Sequence, residues 1–576
     1  MTDDRPTGHV VVYGFRGVGR RVVKQIAKTG VPVIVFQPDA TPAEILAMQR
    51  YQVTYLPGFG QSSESLDAAN VTEAIAAVCV TDDDLLNIEI ALLVRERSTR
   101  IRIVVQMANA AVGRALHGVT QPGAVLDVAE LASMSFVEAA INRTTHALDL
   151  GGEEFIVATH ETLRSGDLRG LWGDLAPIAV QPADGGPTIT CPSRDLKAGV
   201  GDVVTLVGTA KQFRDVGLDV AIAQATRHGR TLQRRVREAI AAINDSVDRP
   251  FRIAFAALVA LAVISVIVLT GSYIDRTGKP MSVLDAIYFT SETIATVGFG
   301  DYYFRDQPDW LRMWAIILIL LGATLVAVAT ALLTNALVSR SLAQSLGRQR
   351  LTGMKDHIVV IGLGTVGSKV AMDLHQAGYD VAIIDGGGGT RFIPEMRAAG
   401  MPVLIGDATL PETQADAGVH RAAGIAVLTS DDLTNIDTGL SVRDTVRDPS
   451  VPIVLRLFGK NLARVVRENL DVGTTRSIAE LSAPWFVGAA LGLETVGTFY
   501  VGETAFMAVH ITIRPGGRLD GTAIQDLGMR TRVVAIQRGD NGPMEYPPRR
   551  DTVFHAGDTA YLIGCYEDLV DLLPRA

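Results

Sequence analysis

Two long uncharged segments place the strongest limit on how this chain can fold. Residues 253–271 and 313–338 contain no charged side chain and are dominated by Leu, Ile, Val and Ala. A helix needs about 20 apolar residues to cross the hydrocarbon core of a bilayer. Both segments therefore predict membrane-spanning helices. The mostly apolar residues 283–293 between them predict a helix that enters the membrane without crossing it.

The short apolar segment leads into the sequence Thr-Val-Gly-Phe-Gly-Asp. A pore that strips water from K+ must replace the hydration shell with a row of oxygen atoms, and main-chain carbonyl groups can form that row. Glycine at alternate positions permits the backbone angles that such a row requires. A glycine-rich turn outside the membrane is the alternative for this hexapeptide taken alone. The predicted filter residues are Thr296, Val297, Gly298, Phe299 and Gly300.

The order of outer helix, pore helix, hexapeptide and inner helix resembles the two-span potassium channels over residues 251–345. One chain carries one filter strand, so a ring of four chains is expected. The resemblance implies a pair between Glu292 and Asp301 that shares a proton, because two close carboxylates do not both ionise cheaply. Two separate, solvated carboxylates are the alternative. The resemblance also implies a gating hinge at Gly322, the only glycine within the second span.

Basic side chains flank both spans and predict the orientation of the chain. Loops rich in Lys and Arg stay in the cytoplasm. The loop that holds the filter mixes both charges, and residues 1–8 lack the apolar core of a signal peptide. We therefore expect a cell-membrane protein with both termini cytoplasmic. The flanking arginines are Arg227, Arg230, Arg234, Arg235, Arg237, Arg249 and Arg252 before the first span, and Arg340, Arg348 and Arg350 after the second.

The composition agrees with a membrane core that carries soluble domains. The chain has 576 residues with a mean hydropathy of +0.25, and yet 20% of its residues are charged. Its net charge of -9 argues against nucleic-acid binding. Cys79, Cys191 and Cys565 are far apart and form no metal-binding spacing, which suits reduced thiols in the cytoplasm.

A soluble domain occurs twice, once on each side of the spans. Residues 9–19, His-Val-Val-Val-Tyr-Gly-Phe-Arg-Gly-Val-Gly, align with residues 357–367, His-Ile-Val-Val-Ile-Gly-Leu-Gly-Thr-Val-Gly. Each copy alternates apolar runs with helical segments, which predicts a doubly wound α/β fold. The predicted buried parallel strands of the second copy are residues 358–361, 381–384, 403–405, 425–429 and 453–455.

The second copy carries a dinucleotide fingerprint in its expected context. Gly362, Gly364 and Gly367 follow a strand and open a helix, and Asp385 ends the next strand. Such glycines permit a tight turn and a close approach of pyrophosphate to the helix N-terminus, and the acid meets a ribose hydroxyl. A tight turn without a ligand is the alternative. Thr365 and Val366, within the fingerprint, complete the predicted contacts of this loop.

The first copy departs from the fingerprint at three positions. Arg16 replaces the middle glycine, Gln37 stands where Asp385 stands, and Phe59 stands at the position of Asp407. We expect the first copy to be a structural partner that does not bind dinucleotide. Another anionic ligand, contacted by Arg16, is the alternative.

The resemblance then widens to the domains that regulate K+ conductance (RCK domains). It rests on Gly406-Asp407-Ala408-Thr409, on Thr429-Ser-Asp-Asp432 and on Asn435. It implies that Asp407, Ala408 and Thr409 contact the ligand, with NAD, NADH or an adenine nucleotide bound in the second copy. It also implies a cytoplasmic gating ring that acts on the inner helices. The family attaches a small C-terminal β-rich lobe, which residues 500–576 and, in shorter form, residues 154–208 resemble.

Two clusters of acidic residues are candidate binding sites for a divalent cation. Asp82–Asp84 and Asp431–Asp432 offer carboxylates that could bind Ca2+, and solvated-loop or helix-cap acids are the alternative. Two further functions also stay open. One is a component of a K+ uptake transporter. The other is a membrane-anchored NAD-dependent oxidoreductase, for which no acid/base constellation stands out, so no catalytic residue is assigned.

The expected fold is thus an α-helical two-span tetrameric pore with two α/β Rossmann-like RCK domains, each followed by a β-rich lobe. The expected function is that of a ligand-gated K+ channel and not of an enzyme. The expected divisions are residues 1–150 and 151–225 for the first domain and its lobe, 226–250 for a basic linker, 251–340 for the pore, 341–353 for a second linker, and 354–495 and 496–576 for the second domain and its lobe.

Overall fold

The computed structural model describes residues 6–108, 113, 120, 125–143, 145–218, 249–276, 278–345, 351, 354–388, 391–470, 472–517, 519–527, 530–539 and 542–570. The chain divides into two units, one of Met1–Arg227 with Lys355–Ala576 and one of His228–Met354. The predicted basic linker lies outside the described residues up to residue 248.

The described part of the smaller unit contains three helices. The outer helix is Arg249–Ser272, the pore helix Val283–Ile294 and the inner helix Asp309–Ser345. Within the outer and inner helices, Ile253–Ser272 and Asp309–Leu332 have mean hydropathies of 2.9 and 2.7 and are only 22% and 17% buried. Apolar helices this exposed are not the core helices of a soluble domain, so both suit a lipid environment. The inner helix continues to Ser345 and so includes the first residues of the expected linker at 341–353, which stays a prediction.

The first copy of the repeat folds as a parallel sheet with helices on its faces. Its six strands, in spatial order, are Thr54–Pro57, Val33–Gln37, Val10–Tyr13, Ala76–Cys79, Arg102–Gln106 and Val125–Leu126. Its helices are Val18–Lys28, Pro42–Arg50, Ser63–Ala68, Asp84–Arg97 and Val128–Ala140, with a 3₁₀ turn at Val71–Glu73. This strand order is that of a doubly wound dinucleotide-binding fold.

The second copy repeats that topology. Its strands, in spatial order, are Val403–Ile405, Val381–Asp385, Ile358–Ile361, Gly424–Val427, Ile453–Arg456 and Thr474–Arg476. The sixth strand was not predicted, because it is short and polar and carries no apolar run. The helices are Thr365–Gln376, Ile393–Ala398, Pro411–Asp416, Asp432–Thr445, Lys460–Asn469 and Ile478–Leu491, with a 3₁₀ turn at Val419–Arg421.

The two copies exchange their last helices. Helix Val128–Ala140 of the first copy buries Phe136 in the core of the second copy, beside Val360 and Val454. Helix Ile478–Leu491 of the second copy buries Phe486 in the core of the first. We call these two helices the crossing helices. Because each core is completed by the other copy, the two domains form one folded body.

Each copy is followed by a five-stranded antiparallel lobe. The first lobe contains strands Thr145–Leu150, Glu153–Glu161, Ala176–Gln181, Ile189–Thr190 and Val203–Thr209, with helices Leu168–Trp172 and Ala210–Asp215 and a separate strand pair Gly166–Asp167 and Lys197–Ala198. The second lobe contains strands Glu494–Val501, Thr504–Thr512, Thr531–Gln537, Met544–Glu545 and Thr559–Cys565, with helix Tyr566–Val570 and a 3₁₀ turn at Ile524–Leu527. The lobes share one core, in which Phe155 and Ile178 of the first pack with Phe506 and Ile563 of the second.

Candidate functional site

The backbone of the filter segment is unusual at alternate residues. Thr296, Gly298 and Gly300 have φ angles of 58°, 61° and 79°. Among the residues that the structure describes, a Cβ added to Gly298 or Gly300 would meet no atom within 4 Å, so within one chain the backbone conformation alone favours glycine there. Thr296 adopts a conformation that costs a β-branched residue energy, and such strain is concentrated at functional sites. Val297 and Phe299, between these positions, are exposed.

The acids beside the filter have different surroundings. Asp301 accepts a hydrogen bond from the Tyr288 hydroxyl at 3.2 Å. Glu292 is 6% exposed, and its Oε2 atom has no hydrogen-bond partner within the described residues. The sequence did not indicate Tyr288 as the partner of Asp301. The proton shared between Glu292 and Asp301 stays a prediction.

Gly322 lies inside an unbroken inner helix. A Cβ at this position would come within 3.2 Å of the Ile294 side chain at the end of the pore helix. In this conformation the glycine therefore permits close packing of two helices. Its role as a gating hinge stays a prediction.

A cavity of about 970 Å³ opens at the carboxyl ends of the strands in the second copy. In doubly wound sheets this edge is where ligands bind. The cavity is lined by residues from five strand ends and from the N-terminus of helix Thr365–Gln376, which favours negative charge. Its lining includes Gly362, Gly364, Thr365, Asp385, Asp407, Ala408, Thr429 and Arg456.

The three fingerprint glycines have three different surroundings. A Cβ on Gly362 would lie 2.9 Å from the Thr429 nitrogen, and one on Gly367 would lie 1.9 Å from the Gly362 oxygen. Those two glycines are required by packing. A Cβ on Gly364 would meet nothing within 4 Å, and its φ of -84° suits any residue. Nothing in the fold requires a glycine at Gly364, but a ligand approaching the main chain would.

Asp385 is held in place by the main chain. Its carboxylate accepts hydrogen bonds from the Leu363 and Gly387 nitrogens, both at 2.8 Å. These bonds tie the end of one strand to the fingerprint turn and to the next loop. The carboxylate is thereby fixed at the cavity wall, where the sequence predicts a ribose contact.

Three predicted ligand residues, Val366, Gly367 and Thr409, do not line the cavity. Val366 is buried in the hydrophobic core, because the first helical turn directs it inward. Thr409 instead donates hydrogen bonds to Asp407, from its nitrogen at 2.9 Å and from its hydroxyl at 2.8 Å. These bonds lower the pKa of Asp407. Thr409 therefore orients Asp407 at the cavity.

Arg456 is a cavity residue that the sequence analysis missed. It ends the fifth strand, its guanidinium lies 4.5 Å from the Phe458 ring centroid, and its Nε atom is buried without a hydrogen-bond partner within the described residues. Burial lowers its pKa to about 10. The available signal was its position at the carboxyl end of a predicted strand, next to the fingerprint turn.

The first copy fills the equivalent positions with its own side chains. Arg16 donates to Glu44 Oε1 at 3.1 Å and to the Asp39 carbonyl oxygen at 3.2 Å. Gln37 accepts from the Phe15 nitrogen at 2.7 Å, as Asp385 accepts from Leu363. The arginine thus spans the turn where the second copy is open. Gln37 keeps the structural hydrogen bond and lacks the charge.

The clustered acids act as helix caps or anchor neighbouring loops. Asp83 accepts from the nitrogens of Leu85 and Leu86, and Asp431 accepts from Thr434. Asp84 and Asp432 anchor the loops after neighbouring strands through main-chain nitrogens. Across the residues that the structure describes, no group of three His, Cys, Asp or Glu side chains is placed to hold a metal ion.

Comparison with protein families assigns most of the chain. The TrkA-N domain matches residues 10–121 and again residues 358–472, the ion channel family matches residues 254–339, and the TrkA-C domain matches residues 508–569. With the fold, these matches define a class: an ion-channel pore joined to TrkA-N and TrkA-C domains.

Two curated relatives of this chain are potassium channels. The chain is similar to potassium channel protein 1 of Methanocaldococcus jannaschii, with 24% identity over 330 residues, which are 54% of this chain and 95% of that protein. It is 26% identical over 195 residues to the voltage-gated potassium channel Kch of Escherichia coli, covering 33% of this chain and 46% of that one. A solved structure of the GsuK channel bound to NAD aligns with 99% of this chain and 78% of its own, at 17% identity and a TM-score of 0.49. The chain is a potassium channel of the membrane, with RCK domains on both sides of its pore.

Proposed function

We propose that four copies of this chain form a K+-selective channel whose opening depends on a nucleotide bound in the second copy of the RCK domain. One chain supplies one filter strand, and a ring of carbonyl oxygens needs several. The alternating backbone of Thr296, Gly298 and Gly300 supports the filter. Basic flanks support a topology with both termini in the cytoplasm.

The observation that carries the nucleotide proposal is the open space at Gly364. Packing requires the other two fingerprint glycines, and only a bound ligand gives a reason for this one. The helix N-terminus and Arg456 supply positive potential for phosphates, and Asp385 supplies an acceptor for a ribose hydroxyl. NAD, NADH and adenine nucleotides share these groups.

The gating proposal follows from the division of the chain. Residues 1–150 with 151–225, and 354–495 with 496–576, would form the regulatory domains, and residues 251–340 the pore. Linkers at residues 226–250 and 341–353 would transmit a change in the regulatory domains to the helices. A nucleotide shifts the open fraction only if it binds the open and closed states with different affinity.

Single-channel recording of the purified protein in a planar bilayer tests the proposal. Opposed K+ and Na+ gradients give selectivity, and NAD+, NADH and ADP are added in turn to the side that carries the soluble domains. We expect a K+-selective current whose open probability changes with one of these nucleotides. A Gly364→Glu variant should keep the current and lose the response.

Each negative result contradicts a different part of the proposal. Equal permeability to Na+ and K+ would refute the filter assignment. A selective current that ignores all three nucleotides, in protein that also fails to bind them, would refute the sensor. A complex that is not tetrameric in detergent would refute the ring of four and favour a component of an uptake system.

A further inference from the structure

A buried hydroxyl group lies where the three described helices of the smaller unit meet. Ser265 of the outer helix is fully buried, although the span that contains it is only 22% buried. Its Oγ atom accepts a hydrogen bond from the Thr290 hydroxyl of the pore helix at 3.4 Å. It accepts a second one from the Trp314 Nε1 atom of the inner helix, also at 3.4 Å. One side chain therefore joins all three helices.

Several other hydroxyl groups in these helices form bonds of a different kind. Thr270 in the outer helix donates to the carbonyl oxygen four residues earlier, at 2.8 Å. Thr324 and Thr330 in the inner helix do the same, at 2.7 Å and 2.9 Å. Such bonds satisfy a hydroxyl group within its own helix. The contact between Ser265 and Thr290 instead crosses from one helix to another, as polar contacts that hold membrane helices together do.

The pore helix determines where the filter segment begins. The helix ends at Ile294, and the Thr296 nitrogen donates to the Thr293 carbonyl oxygen at 3.1 Å. The Val297 nitrogen donates to the Glu292 carbonyl oxygen at 2.9 Å. Main-chain hydrogen bonds thus connect the first two filter residues to the last turn of the helix. A movement of the pore helix therefore displaces the carbonyl groups of these two residues.

The inner helix approaches the pore helix at a second point. A Cβ added to Gly322 would come within 3.2 Å of the side chain of Ile294, the last residue of the pore helix. The inner helix therefore packs against the end of the pore helix at Gly322 and is joined to it, through Ser265, at Trp314. A displacement of the inner helix reaches the filter segment through these two contacts.

Apolar side chains already pack the three helices together. Leu269 of the outer helix, Phe289 of the pore helix and Leu318 of the inner helix belong to one core cluster. Hydrophobic contact is non-directional, whereas a hydrogen bond depends on the direction of donor and acceptor. Packing alone would therefore accept alanine in place of Ser265. The hydroxyl group adds a fixed orientation of the pore helix relative to both spans.

We propose that Ser265 is a positioning residue of the filter. Its hydroxyl group holds the pore helix against the outer and inner helices and keeps the filter carbonyl groups in their conducting arrangement. The role rests on the proposed assignment of the filter to residues 296–300. It is independent of any nucleotide bound in the second RCK copy.

Single-channel recording in a planar bilayer tests this role. The unchanged protein is recorded first, so that a current without K+ selectivity would refute the filter assignment before any variant is compared. We then expect Ser265→Ala to raise the frequency of brief closures by at least about threefold, the effect of one interhelical hydrogen bond on an equilibrium constant. The closures should differ in K+ and in Rb+, because a closure at the filter depends on the ion that occupies it. Thr270→Val is the control and should not change them.

Substitutions at Thr290 separate the hydroxyl group from the packing of the side chain. Thr290→Val removes the hydroxyl group with little change of shape and should raise the frequency of brief closures as Ser265→Ala does. Thr290→Ser keeps the hydroxyl group and should conduct like the unchanged protein. The double variant Ser265→Ala/Thr290→Val should be no worse than Ser265→Ala alone, because the partner of Thr290 is already absent.

Four outcomes would overturn the role of Ser265. The first is an unchanged frequency of brief closures in Ser265→Ala. The second is equal behaviour of Thr290→Ser and Thr290→Val, and the third is an additive effect in the double variant. The fourth is a lower Tm of Ser265→Ala with unchanged closures, since this would assign the hydroxyl group to stability alone.

Discussion

The two RCK copies share a fold and differ at positions that line the cavity of the second copy. Gly14 and Gly362 both approach the neighbouring strand end so closely that a Cβ would lie 2.8 Å and 2.9 Å from its main chain. Asn87 and Asn435 occupy matching positions and both link the fourth strand to the fifth. The Asn87 side-chain nitrogen donates to the Gln106 carbonyl oxygen at 3.1 Å, and the Asn435 side-chain nitrogen donates to the Arg456 carbonyl oxygen at 2.8 Å. Residues that the fold requires are kept in both copies.

Four of the differences lie beside the cavity. The second copy has Gly364, Asp385, Asp407 and Arg456 where the first copy has Arg16, Gln37, Phe59 and Gln106. The two sheets nevertheless share one strand order. The residues that the fold requires therefore differ from the residues that line the cavity. The first copy shares with the second only the residues that the fold requires.

The crossing helices provide the largest expected effect. Phe136 and Phe486 are fully buried, each in the core of the other copy. We expect Phe136→Ala and Phe486→Ala to lower the free energy of unfolding by about 3–5 kcal/mol each, because each leaves a cavity. Thermal unfolding in detergent measures this loss. A large loss for only one of them would show that the two copies do not depend on each other equally.

Substitution of Gly364 is expected to have the second-largest effect, on nucleotide binding. We expect Gly364→Glu to weaken nucleotide binding by about 100-fold, roughly 2.7 kcal/mol, since the carboxylate would occupy the place of a phosphate. The Tm without ligand should not change, because a Cβ at this position meets no atom of the described residues within 4 Å and the side chain extends into the cavity. Glutamate is preferable to arginine, which could itself contact phosphate. Arg16→Gly is the matched control and should leave binding unchanged.

Two further substitutions give the second copy the residues of the first. We expect Asp385→Gln and Arg456→Gln each to weaken nucleotide binding about tenfold, roughly 1.4 kcal/mol. Gln can keep one main-chain bond of Asp385, as Gln37 does, but it loses the charge. Calorimetric titration measures both, with Gln37→Asp as the control. Unchanged affinity in Arg456→Gln would remove this arginine from the site.

A buried histidine in each copy is expected to make stability depend on pH, which is the smallest of the expected effects. His9 and His357 each place Nε2 on a carbonyl oxygen, of Ala69 at 2.8 Å and of Ala417 at 3.0 Å, and both Nδ1 atoms are buried without partners in the described part of the chain. Burial lowers the pKa of both rings. The unfolded chain therefore binds more protons, and stability should fall as the pH drops below about 6.5.

Substitution of the two histidines shows whether their rings cause the loss of stability at low pH. Thermal unfolding between pH 8 and pH 5 should show a smaller acid loss in His9→Gln and His357→Gln than in the unchanged protein. Asp356, Asp380 and Arg421 also act on His357. An equal acid loss in all three proteins would assign it to other groups.

Most of the architecture could be predicted from local patterns. Runs of apolar residues gave the spans, and alternation of strands and helices gave the doubly wound sheets, because hydrophobic periodicity reflects burial within one element. The predicted strands 358–361 and 403–405 agree with the structure, whereas the polar strand Thr474–Arg476 has no such pattern. Gly362, Gly364 and Asp385 were also predicted to lie together, since a turn and two strand ends meet at one edge.

The sequence by itself determined the pore, the filter segment and the repeated domain with one intact fingerprint. Only the tertiary structure decided which core each crossing helix enters, because both cores present similar apolar surfaces. It also decided that Thr409 supports Asp407, that Tyr288 meets Asp301, and that Arg456 reaches the nucleotide cavity. These contacts join residues that are distant in the chain, so the spacing of residues along the sequence does not predict them.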